Sequence, residues 1–364
     1  MVRKGGVLTA NATRMVPLDP GTGRLVRSLL AWPGTLFDVG TKWDAPDVSP
    51  VERHRRLTLR EPPPEGWLAL QPGLATVGDA NEWTSFVARG ATALAVGGIH
   101  GEDRPSAFRR FREETAVLGL RRQAVYPVRE PDLEAAQKAG FESLPVGVEA
   151  WVHLDRFTLR GKRFADLRQM RNRATKRGVH IEEVDAQSWQ VPLADCWRRF
   201  LEGRRVPWQV RWLSGRPVFE RPFGRRTFVA HRDGEVQAFC TVLPGPSGRN
   251  SFDVLCRDPQ AIPGAMETLL VETIRRLGDE GVAQVSLGPC PLAGDGVRAV
   301  PGWRGRAMRW AYEGALAERW FGFQRLAAFK EKFRPKMEVV HLGLAPRWSM
   351  VAWYLTVRIW ALGG

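Results

Sequence analysis

The sequence predicts an α/β protein of the α+β kind, made of two tandem domains whose mixed sheets are flanked by helices. Three observations carry this expectation. The chain has 364 residues, 44% apolar and 26% charged, a globular composition long enough for two cores of ordinary size. From about residue 91 onward, short apolar runs of strand length alternate with longer stretches of helical period. That alternation runs through the chain twice.

Residues 1–65, rich in Gly and Pro and containing the stiff stretch EPPPEG, read as an irregular arm with one short helix near Leu25–Ala31. In the first domain, residues 66–150, ATALAVGG (91–98) reads as a strand and RPSAFRRFREETAVLG (104–119) as a helix with Phe108, Phe111, Thr115 and Leu118 on one face. A second strand (123–128) and a short helix (131–140) follow.

The second domain, residues 151–345, repeats the theme. KRFADLRQMRNRATKRG (162–178) reads as a helix closed by Gly178, followed by a strand (179–184) and a helix around Trp189 to Glu202. RTFVAHRDGEVQAFCTVLP (226–244) is a hairpin, with Asp233 and Gly234 suited to the positive φ of its turn. Strand 251–257, helix 263–281 with Met266, Leu270, Ile274 and Leu277 at helical spacing, and strand 283–288 complete the series. The order helix, strand, helix, hairpin, strand, helix, strand is that of a GNAT-type acyltransferase fold, and the first domain reads as a worn copy of it.

The tail, residues 346–364, reads as an apolar C-terminal helix with three tryptophans. Its apolar stretch from Trp348 to Leu362 would be only about 22 Å long as a helix, against roughly 30 Å of bilayer hydrocarbon. It fits either packing on the body of the protein or lying in the membrane plane with Arg347 and Arg358 at the head groups. A signal peptide and a spanning segment are both missing from the reading, so a cytoplasmic protein, peripheral at the inner face of the membrane, is expected. The cysteines Cys196, Cys240, Cys256 and Cys290, spaced 44, 16 and 34 residues apart, match no zinc pattern or disulfide framework and read as buried thiols.

Net charge is +15, concentrated in the second half. Arg156–Arg177 holds nine Lys/Arg against Asp166 alone, and Arg198–Arg226 nine against two acids. Arg298–Arg309 adds four arginines without an acid, and Glu318–Lys336 six Lys/Arg against two glutamates. These windows carry +23 and the remainder −8. An anionic partner is implied, the phosphates of nucleic acid or lipid, unless the arginines form only a solvated face.

Four segments occur in the order, and at the distances, seen in one known family: FTLRGKRFADLRQMRNRATKRG (157–178), WLSGR (212–216), RDPQAIPGAMETLLVE (257–272) with VSLGPCPL (285–292), and FGFQRLAAFKEKFRPKMEVVHL (321–342). Over about residues 90–360 the chain resembles the soluble catalytic domain of bacterial phosphatidylglycerol lysyltransferases. That resemblance implies tandem GNAT-type folds and transfer of an amino acid from aminoacyl-tRNA to the head-group hydroxyl of an anionic lipid, with no cofactor. The flippase portion of longer family members is not in this sequence. The family strand carries an aspartate three residues before the arginine matched by Arg257; here that position is Val254, and the acid is Asp253. In a regular strand Asp253 would point away from the site unless a bulge re-aims it.

An aminoacyl ester is already activated, so its transfer to a hydroxyl needs positioning and oxyanion stabilisation rather than ATP. The candidate catalytic residues are Asp253, Arg257, Lys330 and Lys332. Lys330 and Lys332, expected at the surface, suit a phosphate or carbonyl, or else form a solvated helix end. Asp253 suits an α-ammonium, or is an ordinary strand carboxylate. The candidate substrate-binding residues are Trp212 and Arg216, for the acyl pocket or else as a core tryptophan and a surface arginine, and Arg168, Arg171 and Asn172 on the basic helix, for phosphates. The loop RDPQAIPGAM, with two prolines and one glycine, makes a poor coenzyme A cradle. Cys290 reads as a buried thiol and His231 as a surface residue; no metal site is expected. Two rival readings remain at this point: an aminoacyl-tRNA-dependent transferase acting on a peptidoglycan-precursor amine, and a non-catalytic membrane- or RNA-binding protein on a GNAT-like scaffold.

Overall fold

A computed structural model describes residues 48–58, 63–71, 73–203, 217, 223–315, 318–319 and 322–346. Along the first part run α1 (Pro50–Thr58), a 3-10 turn (Pro64–Leu70), β1 (Ala75–Gly78), β2 (Trp83–Arg89), β3 (Thr92–Ala95), α2 (Arg104–Val117), β4 (Arg122–Val128), α3 (Leu133–Lys138) and β5 (Glu142–His153). Then come α4 (Ala165–Lys176), β6 (His180–Val184), α5 (Gln190–Glu202), β7 (Arg226–Arg232), β8 (Glu235–Leu243), β9 (Arg249–Arg257) and α6 (Ala265–Asp279). β10 (Gln284–Pro291), α7 (Asp295–Arg298), α8 (Gly302–Glu313), α9 (Phe323–Glu331) and β11 (Lys336–Ala345) complete it.

The described strands join one sheet in the order β1-β2-β3-β4-β11-β5-β10-β9-β8-β7-β6. Among the described strands, only β3–β4 and β9–β10 pair in parallel, and each of these pairs is joined through a helix, α2 or α6, as a parallel connection requires. The first half runs three antiparallel strands (β1–β3) and the second four (β6–β9), and each set is followed by a helix, a parallel strand, further helix and a last strand. The last strands are exchanged. β5, from the first half, lies against β10 of the second, and β11, from the second, lies between β4 and β5.

The alternation of side chains along a strand places two cores on β7 and β8. Phe228, Ala230, Ala238 and Cys240 belong to the core under α4 and α6, whereas Val229 and Phe239 pack with Leu193 and Cys196 of α5. The hairpin turn has Asp233 at φ 51° and Gly234 at φ 83°, the double left-handed geometry that matches the twist of a two-residue hairpin.

The elements read from sequence are present with shifted ends. Helix 263–281 begins later, at Ala265, because Gly264 takes φ 95° and lies where a Cβ would come 2.3 Å from the Met170 carbonyl oxygen. Helix α1, which falls within the stretch expected to be an irregular arm, strands β1, β2, β5 and β11 and helices α7 and α8 are additions to that reading. The four cysteines are buried and unbridged, and His231 is half-buried beside Glu182 rather than at the surface. The helix expected near Leu25–Ala31 and the tail beyond Pro346 lie outside the described residues. Among the described residues, no helix is long and apolar enough to cross a membrane.

Candidate active site

The site begins where β9 and β10 part. They pair only at Gln284–Arg249, Val285–Asn250 and Ser286–Ser251. Beyond Ser286, β10 carries Pro289 and Pro291, which have no N–H to give a ladder, and it shifts register while staying with β5. The strands separate and leave a cleft of about 360 Å³. Its walls are mostly apolar, with Phe252, Val254 and Leu287 from the strands, Leu68 from the 3-10 turn, Trp197 from α5 and Leu326 from α9.

β9 is bulged at this point. Opposite Thr241 and Val242 of β8 stand Val254 and Phe252, so Asp253 has no partner across the ladder. Phe252 and Val254, two residues apart, consequently face opposite cores, which an unbroken strand would forbid. The Thr241 hydroxyl accepts the Val254 N–H at 3.1 Å, satisfying the disrupted backbone. This is the re-aiming that Asp253 needed. Its carboxylate lines the cleft and meets Arg225 Nε at 3.0 Å, with both side chains 3% exposed.

A second charged group occupies the other wall. Arg129 makes a two-pronged pair with Glu65, at 2.9 Å for each contact, and reaches Glu149 at 2.6 Å. Burial opposes the Arg129 charge, but Glu65 and Glu149 outweigh it and hold the guanidinium above its usual pKa. Ser286 Oγ donates a short hydrogen bond to Glu149 and accepts the Gly288 N–H. Tyr126 lines the same wall, its phenol pushed up by burial and by Glu149. Buried ions persist only when paired and hydrogen-bonded, and these carboxylates all are.

Lys330 projects into the cleft from the last turn of α9 and is 3% exposed. This corrects the expectation of a surface lysine. Nζ donates to the Pro289 carbonyl at 2.8 Å, and burial draws its pKa below the usual lysine value, against Cys290 and Glu149. An ammonium has three N–H groups, so one is used there and others are available to a ligand. Cys290 is itself buried, and that burial raises its pKa.

The other sequence candidates lie elsewhere. Lys332 caps α9 and bridges Asp166 at 3.0 Å and Glu267 at 3.2 Å, tying α9 to α4 and α6. Arg257 is exposed at the end of β9, 3.5 Å from the Ala261 carbonyl. Arg171 pairs with Glu272 at 2.5 Å, and Arg168 donates to the carbonyls of Leu159 and Gly161. Asn172 is exposed on α4, as are Arg173 and Lys176, and Arg177 is exposed just past its end. Trp212 and Arg216 lie outside the described residues. The β9–α6 loop is tied up internally: Asp258 accepts the Gln260 N–H and pairs with Arg199, and the Gln237 side chain accepts the Ile262 N–H.

Sequence reasoning missed Glu65, Tyr126, Arg129, Glu149 and Ser286. Glu65 and Arg129 stand 64 residues apart, and Glu149 and Ser286 stand 137 apart. The local signal that was available is a glutamate within the apolar run VGVEAWV, since an acid there is rarely buried without a partner. Among the described residues, no cluster of three or more His, Cys, Asp or Glu is placed to hold a metal ion.

Comparison with known proteins adds a family and a fold. Residues 55–341 match the family described as phosphatidylglycerol lysyltransferase, C-terminal. The phosphatidylglycerol lysyltransferase of Bacillus subtilis (strain 168) is 26% identical over 248 residues, covering 64% of this chain and 28% of that protein. A bifunctional lysylphosphatidylglycerol biosynthesis protein LysX of Mycobacterium sp. (strain JLS) is 28% identical over 222 residues, covering 56% of this chain and 20% of its own length. The chain thus matches under a third of these relatives' length. Among solved structures, L-PGS from Bacillus licheniformis superposes with TM-score 0.74 at 20% identity, over 88% of this chain and 98% of that one. The C-terminal domain of a putative lysylphosphatidylglycerol synthetase from Agrobacterium fabrum gives 0.65 at 23% identity, over 85% and 96%. These two likenesses are of fold.

Proposed function

The chain belongs to the family of phosphatidylglycerol lysyltransferase C-terminal domains, and from that premise we propose that it is an aminoacyltransferase moving an amino acid from aminoacyl-tRNA to the hydroxyl of an anionic lipid such as phosphatidylglycerol. The observation that carries the reading is the cleft between β9 and β10, apolar in its walls and holding the buried Lys330 ammonium.

The reaction is an ester exchange. The lipid hydroxyl oxygen attacks the aminoacyl carbonyl carbon, negative charge develops on the carbonyl oxygen, and the ribose oxygen of the tRNA leaves with the proton that the lipid hydroxyl gives up. Lys330 donates an N–H to the developing oxyanion, in surroundings dry enough for that contact to be strong. The Glu65–Arg129–Glu149 group and the Asp253–Arg225 pair keep the walls fixed, so that Lys330 does not reorganise during the reaction. The β9–α6 loop, with its own carboxylate and its N–H groups engaged, suits tRNA better than the pyrophosphate of coenzyme A. The exposed cations of α4 fit the phosphates of an acceptor stem, a contact insensitive to base sequence. No cofactor enters this scheme, and the protein would work at the cytoplasmic face of the membrane.

The test is label transfer. Purified protein is mixed with a complete set of radiolabelled aminoacyl-tRNAs and phosphatidylglycerol vesicles, without ATP, and chloroform-soluble label is counted. Transfer from at least one tRNA is expected. Failure with all of them, or saturable binding of acetyl-coenzyme A, overturns the reading.

A further inference from the structure

We propose that the outer face of α8 is a docking surface for an anionic phospholipid bilayer. Trp303 and Trp310 on this helix are 49% and 71% exposed, and among the described residues they are the two large aromatic side chains left open to solvent. With Arg306 and Ala307, both exposed, they stand at i, i+3, i+4 and i+7, which is a single stripe of a helix. The tryptophans are about 10 Å apart along the axis at 1.5 Å per residue.

The opposite side of α8 is fixed to the protein. Met308 is buried, and Gly305 packs where a Cβ would come 1.8 Å from the Val300 carbonyl oxygen. The helix is thus held with its tryptophans outward. A tryptophan presents an apolar ring with one N–H, which matches the boundary between acyl chains and head groups. An arginine between two such rings meets lipid phosphate with a planar set of donors.

Charge favours an anionic surface over a neutral one. From Arg298 to Arg309 there are four arginines and no acid. Arg304 is committed to Glu142 at 2.9 Å and Arg309 to the Arg298 carbonyl at 2.8 Å. Arg298 leans on the exposed Asp295 at 3.4 Å, and Glu313 ends the stripe. Arg306 is therefore the cation that the stripe itself offers. The next described helix, α9, packs on α8 and supplies Leu326 and Lys330 to the cleft. The docking is read by binding alone and stands apart from whether transfer occurs.

Sedimentation of the full chain with vesicles of phosphatidylglycerol and phosphatidylcholine in equal parts, and of phosphatidylcholine alone, tests this. The wild type is expected to bind the anionic vesicles at least tenfold tighter. The double variant W303S/W310S and the single variant Arg306→Glu should each weaken that binding at least tenfold with an unchanged melting transition. Equal binding to both vesicle types overturns the proposal, as does undiminished binding by folded variants, which would move the anchor elsewhere. Loss of affinity for uncharged tRNA with vesicle binding intact assigns the face to RNA and overturns it as well.

Discussion

The Asp253 carboxylate meets Arg225 Nε at 3.0 Å because β9 steps out of register with β8 at Asp253, which turns that side chain inward. Both partners are 3% exposed, so removing one strands the other as a buried charge. That loss costs about 3–5 kcal/mol. Asp253→Ala and Arg225→Leu should each lower the unfolding free energy in urea by this amount, and the double variant should recover most of it. Single variants of wild-type stability would show that the pair is solvated.

Lys330→Met keeps the length of the side chain but removes its donor. If the ammonium holds the oxyanion, turnover should fall by about one to two decades, the rate equivalent of a charge-assisted contact of about 1.5–3 kcal/mol. Label transfer measured beside a thermal melt separates this from unfolding. A variant as fast as wild type removes Lys330 from the chemistry.

His100 gives the fold a pH dependence. It is buried against Trp83, the rings stacked at 4.2 Å, and burial, then Arg104, lower its pKa from 6.5 to about 3. Between those values the unfolded chain binds a proton at this site and the folded chain does not. Stability therefore falls as pH drops from 6.5 toward 3, by at most about 1.4 kcal/mol per pH unit from this group. His100→Phe, which preserves the stack, should show a shallower loss in that window when both proteins are unfolded in urea across the pH range. Parallel curves would refute the assignment.

Gly264→Ala should be severe. A left-handed φ costs an ordinary residue about 1–2 kcal/mol, and the new methyl would also meet the Met170 carbonyl at 2.3 Å, a backbone atom with little room to yield. A melting transition lowered by several degrees is expected; an unchanged one would mean that α4 moves aside freely.

How much of this was legible in the sequence depended on distance along the chain. Helix α6 announced itself through Met266, Leu270, Ile274 and Leu277, and the β7–β8 hairpin through Asp233-Gly234, because each signal lies within a few residues. The central strand β5 was hidden by Pro145 and Gly147, which normally interrupt a strand. The structure accommodates Pro145 at a register shift against β11. In the candidate site, Lys330 was legible as a residue but not as a buried one, since its burial comes from β10 and β5 rather than from α9. The pairing of Arg129 with Glu65 and Glu149 was not legible, because no local pattern connects three segments spread over 85 positions. The turn of Asp253 toward the cleft depended on a one-residue insertion in the ladder that composition does not reveal.

The exchange of last strands sets the order in which the sheet can be finished. β4 and β5 emerge from the ribosome with facing edges unfilled, and the strand that fills the space, β11, begins at Lys336, almost 200 residues later. Throughout that interval two lines of unpaired backbone stand open, the condition under which strands join the wrong partner. A chain cut short anywhere before β11 would leave a slot through the middle of the sheet rather than a frayed end, and nascent protein would need shelter from its neighbours until β11 arrives.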